Sequence, residues 1–286
     1  MIVVGGSSSR DMAKELAMIL KCKYVQAATT RFPDGECYTR VDDDVMDDHV
    51  IIVQNTYPDE NLVEMFLLQD AVKRLGAKSI TCIIPYFGYA RQDRIFKPGE
   101  PESAKVMAQR LEILCDRVLT IDIHKEDVLR WFKCPAKDIK ASRAIGEYFK
   151  DRGIDMVLAP DLGAEGRAAE VAGVIGVPHD HLEKARLSGT EVRITPAKLN
   201  CGGKHVLIVD DIIATGGTII AACEQLRNQG VASISVACTH GVFSKNALER
   251  LAGSTIDSLL CCNTLENEVS NISVAPLVAE AIREGW

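Results

Sequence analysis

The residues with the plainest chemistry are Asp210 and Asp211 followed by Ala214-Thr215-Gly216-Gly217-Thr218. An apolar, largely β-branched run, Val206 to Val209, precedes them and reads as a buried parallel strand. A helical pattern from Ile219 to Arg227 follows. A loop that opens a helix offers backbone N–H groups and the positive end of the helix dipole to an anion. Gly216 and Gly217 let that backbone come close to phosphate oxygens. The acids cannot hold a phosphate directly; they suit hydroxyls, which donate to them, or a metal. A phosphate cradle beside hydroxyl acceptors is what a sugar phosphate requires. Two acids and a turn at a strand end also occur as a plain solvated loop, and it is the whole string in order that favours the phosphate site.

Two further constellations lie in the first half. Arg31-Phe32-Pro33-Asp34-Gly35-Glu36 contains Pro-Asp-Gly, which favours a β-turn whatever else it does. Tyr86-Phe87-Gly88-Tyr89-Ala90-Arg91-Gln92-Asp93-Arg94 follows a buried apolar strand and continues through Lys97-Pro98-Gly99-Glu100-Pro101. A connection this long in a compact domain tends to be functional. Its arginines and lysine supply local positive charge for a polyphosphate, and its aromatics could line a base. Without that context it reads as a basic surface loop.

The elements that must position these residues are short apolar strands alternating with amphipathic helices. Ile2–Val4, Val50–Val53, Ile80–Ile84 and Val118–Ile123 read as strands of a first unit. Met156–Leu158, Val206–Val209, Ile234–Ala237 and Ser258–Cys261 read as strands of a second. Helical patterns fall at Asp11–Leu20, Glu60–Leu75, Ser103–Leu114, Ala164–Val174 and Ile219–Asn228. This is an α/β chain with a mainly parallel sheet, flanked by helices, in each unit. His49-Val50-Ile51-Ile52-Val53-Gln54-Asn55 parallels His205-Val206-Leu207-Ile208-Val209-Asp210-Asp211, and a helix, a glycine (Gly76 or Gly230) and a strand follow each. The expectation is two domains related by duplication, residues 1–140 and 141–286, with the last helix packing back on the first. In the first copy Gln54 and Asn55 replace the acids and Pro58-Asp59 replaces the paired glycine, so its phosphate chemistry is lost.

Composition bounds the partners. A formal charge of −7 over 286 residues, with no basic block or tail, argues against a general nucleic-acid binder. No apolar run reaches the length of a membrane span, and no signal-peptide pattern opens the chain. The ten cysteines form no C-x-x-C pair. Cys82, Cys115, Cys223 and Cys238 read as small core residues. A reducing cytoplasm and no zinc site are expected.

Taken in order, the Phe32–Glu36 turn, Tyr86–Asp93, Thr120-Ile121-Asp122-Ile123-His124 and Asp210–Thr218 resemble the ribose-phosphate pyrophosphokinases over nearly the whole chain. Type I phosphoribosyltransferases resemble only its second half. The resemblance implies two type I phosphoribosyltransferase-like domains: an N-terminal ATP-binding domain, 1–140, and a C-terminal ribose 5-phosphate-binding domain, 141–286. It implies transfer of the β,γ-diphosphoryl group of ATP to the anomeric hydroxyl of ribose 5-phosphate, giving 5-phosphoribosyl 1-pyrophosphate and AMP.

The resemblance also assigns residues. ATP is held by Phe32, Asp34, Gly35, Glu36, Arg91 and Gln92, and Mg2+ by His124 and Asp161. Ribose 5-phosphate is held by Arg186, Asp210, Asp211, Ala214, Thr215, Gly216, Gly217 and Thr218. Lys184 and Arg186 are catalytic, on a mobile loop continuing through Leu187–Thr190. A homo-oligomer, at least a dimer, is implied. Two positions depart from the family pattern: Ala164 stands where many members carry a second glycine, which is costly if that position needs a positive φ, and Ala185 stands where many are basic. A plain phosphoribosyltransferase, or a non-catalytic regulatory subunit keeping the fold, are the rival readings. The first leaves Phe32–Glu36 and Arg91–Gln92 without a purpose; retention of Lys184, Arg186, His124 and Asp161 argues against the second.

Overall fold

Runs of apolar residues with no polar break, such as Val50–Val53 and Val206–Val209, are buried on both faces and form the centres of two parallel sheets. The computed structural model describes residues 1–186, 192–196 and 200–286, with the side chains of 184–186 and 192–196 outside that description. The sequence-read segment Leu187–Thr190 lies outside the described residues.

In chain order the elements are β1 (Ile2–Gly5), α1 (Arg10–Leu20), β2 (Lys23–Gln26), β3 (Ala28–Arg31), β4 (Cys37–Arg40), β5 (His49–Val53), α2 (Asp59–Arg74), β6 (Ser79–Ile84), α3 (Ser103–Leu111), β7 (Arg117–Ile121) and β8 (Ala136–Ile139). They continue as α4 (Ser142–Phe149), β9 (Met156–Ala159), α5 (Glu165–Ile175), β10 (His179–Arg186), β11 (Val192–Pro196), β12 (His205–Ile213), α6 (Gly217–Asn228), β13 (Ser233–Gly241), α7 (Ala247–Ala252), β14 (Ser258–Cys261) and α8 (Ala275–Arg283). The chain divides into two units. One comprises Met1–Lys140, Thr264–Glu266 and Val274–Trp286; the other comprises Ala141–Asn263 and Asn267–Ser273.

The first unit holds a six-stranded sheet in the order β2-β1-β5-β6-β7-β8, parallel throughout, and a separate antiparallel hairpin, β3-β4. Its core gathers Val4, Ile52, Ile84 and Val118 from the sheet and Met65, Leu68, Ala104 and Leu111 from α2 and α3. Helix α8 belongs to this unit and packs on α1 through a face that buries Leu277, Val278 and Ala281.

The second unit repeats the plan with the order β11-β10-β9-β12-β13-β14, parallel except for the β10-β11 pair. Strands β1, β2, β5, β6 and β7 correspond in order and position to β9, β10, β12, β13 and β14. Both sheets therefore reverse their winding at one point, between β1 and β5 and between β9 and β12. Ligands in open parallel sheets settle at the carboxyl ends of the strands beside such a reversal.

Two strands differ from the sequence reading. β12 does not stop before the acids: Asp210 and Asp211 lie within it, because β13 runs on to Gly241 and continues the ladder with Asp210 opposite Cys238 and Ile213 opposite Gly241. Lys184 and Arg186 lie on strand backbone, not on a loop, because β10 outruns β9 and turns to pair antiparallel with β11, Lys184 opposite Ile194.

Candidate active site

In the second unit the glycine-containing loop leaves β12 at Ile213 and enters α6 at Gly217. Its carbonyls are tied back: Ile213 O accepts Val242 N and Phe243 N at 3.1 Å, Ala214 O accepts Ser244 N at 2.9 Å, and Thr215 O accepts Arg250 Nη1 at 3.3 Å. Among the described residues none of the backbone N–H groups from 214 to 219 donates a hydrogen bond. The first helical bond is Ile220 N to Gly216 O, 2.9 Å. The loop therefore presents donors on one side and consumes its acceptors on the other, at the positive end of a 12-residue helix. Gly216 makes the turn at φ +71°, and a Cβ there would lie 3.0 Å from the Leu251 side chain. Both the left-handed backbone and the close approach require glycine.

Asp210 and Asp211 precede this loop, each carboxylate accepting the next residue's N–H, Asp211 N at 2.9 Å and Ile212 N at 2.8 Å. Burial, reinforced by the neighbouring Asp211 charge, pushes the Asp210 carboxyl up to about 7.

Asp161 follows β9, on the other side of the same reversal. It is exposed and extended (φ −159°), and its Oδ1 accepts Ala164 N at 3.2 Å to start a short 3-10 turn, Leu162–Ala164. Ala164 sits at φ −97°, so the alanine read from the sequence as a costly departure carries no left-handed strain. The backbone of Lys184 and Arg186 continues the neighbouring strand β10.

In the first unit the Phe32–Glu36 segment is the β-turn its sequence favours, and it caps an exposed hairpin. Gly35 N donates to Phe32 O at 2.9 Å, Phe32 N to Glu36 O at 2.9 Å, and Glu36 N to Asp34 Oδ1 at 3.1 Å. Phe32 is half exposed, edge-on to Tyr38 with ring centroids 6.0 Å apart. The turn thus offers an open aromatic face beside two carboxylates.

The second segment leaves the carboxyl end of β6. Tyr86 N donates to Asn55 Oδ1 at 2.7 Å and Gly88 N to Thr56 Oγ1 at 2.8 Å. A Cβ on Gly88 would come within 2.7 Å of Thr56 O. Arg91 is exposed, while Gln92 is half-buried, its Nε2 3.4 Å from Glu100 Oε2. Glu100 also accepts Phe96 N and Lys97 N, which fixes the path of this irregular segment.

His124 leaves the carboxyl end of β7. Asp122, at φ +43°, turns the chain, and Asp138 on β8 accepts both Ile123 N (2.8 Å) and Thr120 Oγ1 (2.7 Å) through Oδ1. Asp138 thus sets the turn that presents His124, a role absent from the sequence reading because β8 is a short edge strand. Gln54 and Asn55 are fully buried and structural: Gln54 Oε1 accepts Ser8 N and Ser8 Oγ, and Asn55 Nδ2 donates to Ser8 O and Thr264 O. Apart from the Phe32–Glu36 turn, which tips the antiparallel β3-β4 hairpin, the candidate residues lie in segments at or beyond the carboxyl ends of the parallel strands. Among the described residues no three histidine, cysteine or acidic side chains group to hold a metal.

Residues 1–114 match a family model described as the N-terminal domain of ribose phosphate pyrophosphokinase, and residues 133–278 match a phosphoribosyl transferase domain. A ribose-phosphate pyrophosphokinase of Methanosarcina acetivorans is 41% identical over 285 residues, covering 99% of both chains. One from Pyrococcus furiosus is 42% identical over 278 residues, 96% of this chain and 98% of the relative. The crystal structure of phosphoribosylpyrophosphate synthetase from Mycobacterium smegmatis superimposes with a TM-score of 0.85 at 31% identity, covering 99% of this chain and 97% of that one.

Proposed function

The chain belongs to the ribose-phosphate pyrophosphokinase family, enzymes that make 5-phosphoribosyl 1-pyrophosphate, and from this we propose how its residues divide the work. ATP and ribose 5-phosphate are the substrates, and the β,γ-diphosphoryl group passes to the anomeric hydroxyl, leaving AMP. The observation that carries the reading is the phosphate loop, whose unspent N–H groups lie next to two carboxylates in the second unit.

Ala214–Thr218 would wrap the 5-phosphate through backbone N–H groups and threonine hydroxyls. Asp210 and Asp211 would accept hydrogen bonds from the ribose hydroxyls and fix the ring. With the sugar held at both ends, the anomeric oxygen has one direction of approach, which supplies the orientation that in-line transfer needs. Phe32 would stack on adenine, Asp34 and Glu36 would hydrogen-bond its edge, with Gly35 shaping the turn, and Arg91 and Gln92 would reach the nucleotide phosphates and sugar.

Lys184 and Arg186, on the β10-β11 hairpin, would neutralise charge on the transferring phosphates, with Arg186 also touching ribose 5-phosphate. Phosphoryl transfer is catalysed mainly by such positioning and neutralisation. Closure of that hairpin would exclude water and protect ATP from hydrolysis.

Asp161, exposed and with lone pairs beyond the one given to Ala164 N, suits Mg2+, which takes oxygen ligands and keeps much of its shell for water and phosphate oxygens. His124 is the proposed second ligand, on the resemblance. When bound, the ion would neutralise phosphate charge. A cytoplasmic homo-oligomer completes the proposal; ten free thiols fit a reducing compartment, and no described helix is long and apolar enough to cross a membrane.

The test is an assay with ATP, ribose 5-phosphate and Mg2+, following AMP and 5-phosphoribosyl 1-pyrophosphate by chromatography. One-to-one formation of the two is expected. ADP in place of AMP would mean single phosphoryl transfer and would overturn the mechanism.

A further inference from the structure

Glu64 lies on α2 and is completely buried, yet among the described residues no lysine or arginine pairs with it. Its partners are uncharged donors from two other elements. Oε1 accepts Ser7 N at 2.8 Å and Thr29 Oγ1 at 2.8 Å, and Oε2 accepts Ser7 Oγ at 2.5 Å. Thr29 Oγ1 is in turn 2.9 Å from Thr39 Oγ1, its register partner across the β3-β4 hairpin. With the single Thr29 proton directed at Glu64, Thr39 donates to Thr29. The result is a directed chain, Thr39 to Thr29 to Glu64, running from both hairpin strands into helix α2.

A buried carboxylate without a countercharge is expensive, and is tolerated where its hydrogen bonds are numerous and strong. Hydrogen bonds to an ionised acceptor are about twice as strong as neutral ones. The hairpin needs such a tether. Among the described residues it is a sheet of its own, with no ladder to the six-stranded sheet, and two strands alone are marginally stable. Its root is held by Ala27 N to Gly5 O, and β4 packs on α2. Phe32, three residues beyond Thr29, stands about 10 Å further out by strand rise. Ser7, the other partner of Glu64, sits in the loop after β1, at the point where the first sheet reverses its winding.

We infer that Glu64 is the positioning residue of the nucleotide hairpin: through Thr29 and Ser7 it fixes the hairpin tip relative to the switch-point loop of the first unit. This deepens, and rests on, the reading of Phe32–Glu36 as the adenine site.

The test uses the full chain with Thr29→Val, which keeps the shape and removes the hydroxyl, Thr29→Ser, which restores it, Glu64→Gln, and Phe32→Ala. Thr29→Val is expected to raise the KM for ATP about tenfold, with the KM for ribose 5-phosphate and the saturated turnover unchanged. Thr29→Ser is expected to recover it, and Glu64→Gln to act in the same direction but less, since its oxygen can keep the Ser7 N and Thr29 Oγ1 bonds and Ser7 Oγ can accept the amide N–H, so that only the charge assistance is lost. A lowered unfolding midpoint with both KM values unchanged, or both raised together, would make Glu64 merely structural and overturn the inference. Phe32→Ala separates the two failures. If it raises the KM for ATP while Thr29→Val does not, the tether is wrong and the adenine site stands. If Phe32→Ala also leaves that KM unchanged, the adenine site falls and the tether's role with it.

Discussion

His49 Nδ1 lies 2.6 Å from Ser79 Oγ, where β5 and β6 begin side by side. The second unit repeats the pair: His205 Nδ1 is 2.6 Å from Ser233 Oγ at the start of β12 and β13. The next positions repeat as well. Ile80 N donates to Asp116 Oδ2 and Ile234 N to Asp257 Oδ2, with the return bonds Asp116 N to Ile80 O and Asp257 N to Ile234 O. The amino ends of the two sheets have thus kept one set of contacts, while the carboxyl ends have diverged, Gln54 and Asn55 against Asp210 and Asp211.

That divergence is not reversible by one substitution. Asn55 is fully buried, and its amide donates to Ser8 O and Thr264 O. In Asn55→Asp both carbonyls would face an oxygen, costing about 3 kcal/mol. Thermal unfolding should show a clearly lower midpoint, with no gain in ribose 5-phosphate binding. An unchanged midpoint would mean that the amide bonds contribute nothing.

Gly216→Ala would force an alanine into the left-handed region at φ +71° and press its Cβ to 3.0 Å from Leu251. The backbone strain alone is about 1–2 kcal/mol. The expected result is a rise of about tenfold or more in the KM for ribose 5-phosphate with the KM for ATP unchanged, read from initial rates. Equal effects on both substrates would contradict the assignment of this loop.

Asp210 predicts a pH dependence of defined sign. Its carboxyl, ordinarily near 3.8, is raised to about 7 by burial and by Asp211. Between those values the folded chain holds a proton that the unfolded chain has released. The resulting stability is complete below about 3.8 and is lost as the pH rises through about 7. Ionised Asp210 is the better acceptor for a ribose hydroxyl, so the KM for ribose 5-phosphate should fall as the pH rises through the same value. Asp210→Asn should remove that part of the profile; an identical profile in the variant would show that another group titrates.

Lys184→Ala should lower turnover by several powers of ten and leave ATP binding largely intact, because the cation is needed mainly when charge moves. Equilibrium ATP binding measured beside single-turnover rates separates the two. An unchanged turnover number would remove Lys184 from the catalytic set.

Legibility in the sequence followed burial. The apolar runs Val50–Val53 of β5 and Val206–Val209 of β12, and the amphipathic helices α1, α2 and α6, stand out by period alone. β2, reading Lys-Tyr-Val-Gln, and β8, reading Ala-Lys-Asp-Ile, do not: edge strands keep one side in water and alternate weakly over four residues. The hairpin strands, Ala-Thr-Thr-Arg and Cys-Tyr-Thr-Arg, are too polar to announce themselves except by the turn between them. Of the candidate site, the proposed ribose 5-phosphate loop is readable because glycines, acids and threonines lie contiguous in sequence. Glu64, Asn55 and Asp138 were not, since each acts on partners 15 to 209 residues away, which no local pattern encodes.

The route of the chain has a consequence for its synthesis. The first unit takes Thr264–Glu266 from between the two segments of the second unit and Val274–Trp286 from beyond them, and α8 covers α1. A ribosome releases β1 to β8 long before it makes α8. During translation the second unit's segments can complete their own sheet while the first still lacks the helix that buries α1, so the half that begins emerging first is the half finished last.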